Sequence, residues 1–108
     1  MKSYTDLGQS LKLTEFLPIE SADMGYLWNG TSFCDYPVSS QTIFNRIENI
    51  PCWSLAALFK VISNIFKYNL DYNGTSFILM VGDFEVSNKA AVDACVEMIE
   101  KLHEQKLL

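Results

Sequence analysis

Two apolar periods alternate along this chain. In the stretch Ile50–Phe66, IPCWSLAALFKVISNIF, residues Leu55, Leu58, Phe59, Ile62, Ile65 and Phe66 fall on one helical arc, with Ser54, Lys60, Ser63 and Asn64 opposite. This is the most strongly patterned segment and predicts a central core helix. Ser54 is its expected N-cap. Pro51 holds Ile50 extended, and its missing N–H is no loss just before a helix. Trp53, directly before the cap, is placed to pack on Leu58 as a hydrophobic staple, a core role rather than a ligand platform.

Taken in order, the chain first offers a helix capped by Ser3 or Thr5 and running to about Leu17. Tyr4, Leu7 and Leu11 lie on one side of it and Leu13 and Leu17 on another. Gly8 weakens this helix and Pro18 closes it. From Met24 the period shortens, and MGYLW-NG-TSFCDY reads as two short strands around an Asn29-Gly30 turn of type I′. The hexapeptide WNGTSF returns as YNGTSF at Tyr72–Phe77, which reads as a second hairpin using the same turn chemistry rather than an internal repeat. The segment from Pro37 to Asn49 mixes loop residues with Ile43, Phe44 and Ile47 and is a candidate partner-binding loop.

After the central helix, KYNLDY alternates into the Asn73-Gly74 turn and SFILMV is apolar on both faces. Gly82-Asp83 turns into FEV, giving a three-stranded antiparallel meander. Ser87 or Asn88 then caps a last helix. Its core face carries Ala91, Val92, Cys95, Val96, Met98, Ile99 and Leu102, and Asp93, Glu97, Glu100, Lys101 and Glu104 form a solvated side. Glu97 and Lys101 stand in the favourable order for a helical ion pair. The fold expected is α+β: one small two-layer domain over 1–108, an antiparallel sheet of four to five short strands and about three helices. The central and C-terminal helices pack on one face of that sheet, with the first helix at its edge.

At 108 residues and 49% hydrophobic, the chain has enough core to fold without a metal or disulfide staple. A net charge of −5 with eight scattered basic residues argues against a nucleic-acid partner. Cys34, Cys52 and Cys95 are odd in number and form no CxxC, so reduced thiols are expected rather than a disulfide framework or zinc site. No apolar run approaches the ~18 residues of a membrane span and the first residues show no signal-peptide pattern, which leads to the expectation of a cytoplasmic protein. In that compartment the Asn-Gly-Thr sequons at Asn29 and Asn73 are not glycosylation sites.

Catalytic chemistry finds little purchase. The single histidine, His103, stands eight residues from Cys95 on the same predicted helix, about 12 Å along its axis and beyond hydrogen-bond reach. Its place in the last turn suits the helix dipole instead. The five glycines make neither GxGxxG nor a P-loop. No enzyme activity, metal or cofactor is expected. What remains is an interaction module, self-associating or binding a protein partner, with Tyr26, Trp28, Phe44, Tyr68 and Tyr72 as its candidate surface, because Tyr and Trp are favoured at interfaces. The alternative is a small-ligand or nucleotide-sequestering domain in which these aromatics form stacking walls and Arg46, Lys60 and Lys67 approach a phosphate.

The residues IPCWSLAALFKVI at 50–62 and VDACVEMIEKLHEQKLL at 92–108, with SADMGYLW upstream, carry a resemblance. The chain resembles a group of small proteins of gut Bacteroidetes and their phages and mobile elements, marked by a Pro-x-Trp-Ser-Leu helix start and a closing Asp-Ala-x-x-Glu-Met-Ile helix. The group's central helix often ends in Leu-Pro, where this chain has Ser63-Asn64. The resemblance covers most of the chain, Pro37–Asn49 least, and implies no activity, cofactor or catalytic residue. It implies a setting, an accessory gene of a phage or mobile element whose product binds or blocks something.

Overall fold

The computed structural model describes residues 2–39 and 49–108. Helix α1, Leu7–Leu13, opens on Asp6, whose carboxylate accepts from Gln9 N (2.7 Å) while Gln9 Oε1 accepts from Asp6 N (3.1 Å). This capping box satisfies two backbone donors reciprocally. The cap is neither Ser3 nor Thr5 as expected, because Thr5 is turned inward and fully buried. The helix also stops short of Leu17: Thr14 Oγ1 donates to Leu11 O (2.6 Å), offering the backbone a local alternative to another helical turn. Leu13 and Leu17 enter the core and Leu11 stays exposed. After Pro18 comes one 3-10 turn, Ile19–Ser21.

Strand β1, Met24–Tyr26, pairs antiparallel with β2, Ile50–Cys52, in the register Met24↔Cys52. The hairpin expected around Asn29-Gly30 reduces to single bridges, Trp28↔Phe33 and, further back, Gly25↔Val38. Two side chains explain why β1 takes a distant partner. The Asp23 carboxylate accepts from both the N–H and the hydroxyl of Ser54, and Asn49 Oδ1 accepts from Trp28 N (3.0 Å), so each end of the β1–β2 pair is clamped. Ser54 in turn caps α2, Leu55–Ser63, by accepting from Ala57 N (3.2 Å). The helix ends before Ile65, which is exposed rather than on the core arc, and Ala57 and Val61 complete the buried face.

The meander over 68–88 forms as the sequence suggests: β3 Tyr68–Tyr72, β4 Phe77–Val81 and β5 Phe84–Asn88, ordered β3-β4-β5. It is a sheet of its own. The single sheet of four to five strands expected above is therefore two antiparallel sheets, of two and three strands, among the described residues. Helix α3, Ala91–Glu104, packs on β4 and β5 and against α2. Its N-cap is Ala90, without a side-chain bond, because Ser87 and Asn88 are spent in β5. Every residue assigned to the core face of α3 is buried. The expected Glu97–Lys101 pair gives way to other partners: Asn88 Nδ2 donates to Glu97, and Lys101 Nζ donates to Glu85 O.

The repeated hexapeptide has one local structure used twice. Asn29 Oδ1 accepts from Thr31 N (3.0 Å), Thr31 Oγ1 (3.0 Å) and Ser32 N (2.9 Å), and Asn73 Oδ1 does the same with Thr75 N (3.0 Å), Thr75 Oγ1 (2.9 Å) and Ser76 N (2.8 Å). Gly30 and Gly74 follow at φ 102° and 97°, where an L side chain is strained. The loop thus runs over Asn-Gly-Thr-Ser instead of the two-residue I′ turn, because the asparagine side chain, not the backbone alone, closes it.

Candidate interaction surface

The aromatic residues proposed from the sequence part company in the structure. Tyr26 is only 5% exposed and its hydroxyl donates to Thr5 O (2.8 Å), so it belongs to the interior. Burial pushes its phenol up to about 12, which keeps it protonated. Trp28 is half-buried beside the β1–β2 sheet, with Phe33 edge-on at 4.9 Å. Phe44 lies outside the described residues, as does Arg46. Tyr68 and Tyr72 share one side of β3 and are 39% and 59% exposed. Tyr68 stacks on Phe59 of α2 at 4.9 Å, and Tyr72 lies against Phe77 at 4.8 Å with its hydroxyl donating to Gly74 O (3.0 Å).

Strand β3 is at the border of its sheet. Its hydrogen-bonding direction follows from the turn beside it. Asn73 N donates to Ser76 O (3.1 Å), so by antiparallel alternation the backbone groups of Asn69 and Asp71 point to β4. Those of Tyr68, Leu70 and Tyr72 point away from it. No strand among the described residues pairs with them. Within Tyr68–Tyr72 there is no proline, and of the usual devices that discourage edge pairing the strand carries a single charge, Asp71. The signal missed in the sequence is the symmetry of YNLDY itself, aromatic at both ends, polar inside them and apolar at the centre.

A different part of the molecule gathers its polar chemistry. Ser3–Thr5 runs antiparallel to Trp53–Leu55, with Thr5 N donating to Trp53 O (2.9 Å) and Leu55 N to Ser3 O (3.0 Å). Thr5 Oγ1 accepts from Trp53 N (3.1 Å) and shares a hydrogen bond with Ser10 Oγ (2.8 Å), with Cys52 Sγ at 3.5 Å. This cluster of hydroxyls and a thiol holds no histidine or carboxylate to serve as a base, and burial first of all pushes the Cys52 thiol up. It is built to join the N-terminus to the start of α2. Nearby, burial would lower the Lys2 ammonium, but the carboxylates of Asp93 (2.7 Å) and Asp6 (3.2 Å) outweigh it and hold its pKa above the ordinary value. Burial would likewise raise Asp93, yet bonds from Lys2 and Gln9 pull its carboxyl below the usual range. The first residues are thereby tied to the first turn of α3.

The three cysteines are unpaired, with Cys34 exposed and Cys52 and Cys95 buried. Burial raises both inner thiols, Cys95 to about 12. At pH 8 the folded protein should therefore titrate one equivalent of a thiol reagent rapidly and release the other two only on unfolding. Ellman's assay with and without urea reads this, and a second fast equivalent would contradict the burial of Cys52 in β2 or of Cys95 in α3. His103 is exposed and stacks on Phe16 at 4.3 Å, away from Cys95 on the buried face.

Between the 3-10 turn and α2 runs a groove of about 530 Å³, bordered by Glu20, Asp23, Lys60 and Asn64 over a floor of Ala22 and Ala57. Asp23 is engaged with Ser54, and none of the described aromatics weighed as stacking walls lines the groove. Among the described residues no group of three His, Cys, Asp or Glu is placed to hold a metal ion, and no helix is long and apolar enough to cross a membrane. No protein-family model, curated protein or solved structure matches this chain.

Proposed function

We propose that this protein is a non-catalytic interaction module that engages a protein partner, another protein or a second copy of itself, through strand β3. One observation carries the reading. The outer border of the three-stranded sheet presents backbone donors and acceptors with no described partner, beside two tyrosines that stay 39% and 59% exposed. Backbone groups on such an edge supply affinity by strand addition, and side chains alternating along it supply selectivity. Tyrosine offers large contact area at low entropic cost and is enriched in interface centres. The resemblance to accessory proteins of phages and mobile elements is in keeping with a product that acts by binding.

The test is photo-crosslinking in the producing cell from benzoylphenylalanine installed at position 72, with the exposed position Gln105 as control. Adducts of discrete mass from position 72, in excess over the control, are expected. Equal and diffuse labelling from both positions would overturn the reading. The adduct mass also separates a second copy of this chain from a different protein.

A further inference from the structure

We infer that the partner of β3 is β3 of a second copy, added antiparallel across a two-fold axis at Leu70; the inference rests on the interaction reading and names its occupant. A strand pairs with its own copy only if its outward pattern is self-complementary. Here the outward backbone groups belong to Tyr68, Leu70 and Tyr72, which are symmetric about Leu70. Across that axis Leu70 faces its own counterpart, and Tyr68 and Tyr72 face each other twice. Each pair exchanges an N–H and a C=O in the hydrogen-bonded arrangement. Cross-strand aromatic pairs of this kind favour association, and the more exposed Tyr72 of one copy comes alongside the Tyr68–Phe59 stack of the other.

The polar positions decide the register. Asn69 and Asp71 lie on the opposite side of the strand, and the axis at Leu70 sets Asn69 of each copy against Asp71 of the other, an amide donor against a carboxylate. An axis at Asp71 would oppose two carboxylates and idle part of the edge. The sheet's other border is unsuited to the same use. On β5 the outward carbonyl of Glu85 already receives Lys101 Nζ (3.4 Å), so part of that edge is taken, and although Glu100 is paired with Lys12 (3.2 Å), Glu85, Glu97 and Glu104 leave an acidic excess beside it that disfavours a second copy. Helix α3 packs on β4 and β5, so it lies over the far part of the sheet from the proposed seam. Joining two copies at β3 makes one continuous sheet from two three-stranded ones.

Position 69 tests this without disturbing the core, because Asn69 is exposed and faces away from the helices. Asn69→Lys sets lysine against Asp71 of the other copy twice, and Asn69→Asp sets like charges there twice. Sedimentation equilibrium should show a monomer–dimer equilibrium in the parent. In low salt Asn69→Lys should tighten it, and Asn69→Asp weaken it, by about threefold to tenfold each. Thermal melting of dilute protein should be alike for all three, showing that the monomers are intact. A monomer at every concentration overturns self-pairing, as does a dimer that both substitutions weaken or neither changes. In those cases crosslinks from position 72 to a different protein keep the interaction reading alive, whereas their absence ends that reading as well.

Discussion

Replacing Trp53 by alanine should lower the stability to unfolding by about 3 to 5 kcal/mol. The indole is fully buried in the core cluster that also holds Leu13, Leu17, Leu58, Ile62 and Met98. It stands immediately before the Ser54 cap, in one buried cluster with Leu13 of α1 and Leu58 and Ile62 of α2. Its one polar atom is provided for: Nε1 donates to Ser21 Oγ (2.9 Å), which itself donates to Pro18 O (2.6 Å). Truncation leaves a cavity and removes that tie. A domain of this size is stable by roughly 5 to 15 kcal/mol, so the loss is a large share of the total. Urea unfolding followed by far-UV circular dichroism reads it as a lower midpoint with an unchanged slope. A loss of under 1 kcal/mol would show that the core closes over the space the indole leaves.

What the sequence made legible depended on how local the deciding interactions are. The core faces of α2 and α3 were readable because periodic apolar residues bury wherever a partner is found: Leu58, Ile62, Cys95, Ile99 and Leu102 all do. The β3-β4-β5 meander was readable because each strand pairs with its neighbour across a turn marked by glycine. The β1–β2 pair was not, since its clamps, Asp23 to Ser54 and Asn49 to Trp28, join residues far apart in the chain. A strand's partner chosen by distant side chains leaves no local pattern. The capping box at Asp6 and Gln9 did leave one, and the neighbouring Thr5 obscured it.

The same contrast divides the candidate surface. Tyr68 and Tyr72 could be named from the alternation of KYNLDY, and both are exposed. Tyr26 has the same composition signal, but its fate was set by the Thr5 carbonyl that receives its hydroxyl. An aromatic residue on a short strand is drawn inward when a buried acceptor lies within reach, and only the tertiary structure supplies that acceptor. Likewise, KYNLDY reads equally as a central or a border strand. Its open edge follows from β4 having β5 as its other neighbour and from the parity of the Asn73–Ser76 bond.

Thr5→Val should cost about 2 to 4 kcal/mol although it changes neither size nor shape much. Thr5 is fully buried, and valine can fill the space, so the effect is one of hydrogen bonding alone. Without Oγ1, Trp53 N loses its acceptor and Ser10 Oγ its partner, leaving buried polar groups with nothing to bond. Ser10→Ala should cost much less, because Thr5 Oγ1 would still receive Trp53 N and lie beside Cys52 Sγ. The double variant should be milder than the sum of the two, since removing Ser10 removes one of the groups that Thr5→Val strands. Equilibrium unfolding of the four proteins measures the coupling directly. Additive losses would show that Thr5 and Ser10 act separately, whereas sub-additive ones would identify this buried hydroxyl pair as the latch that fastens the N-terminal segment to the start of α2.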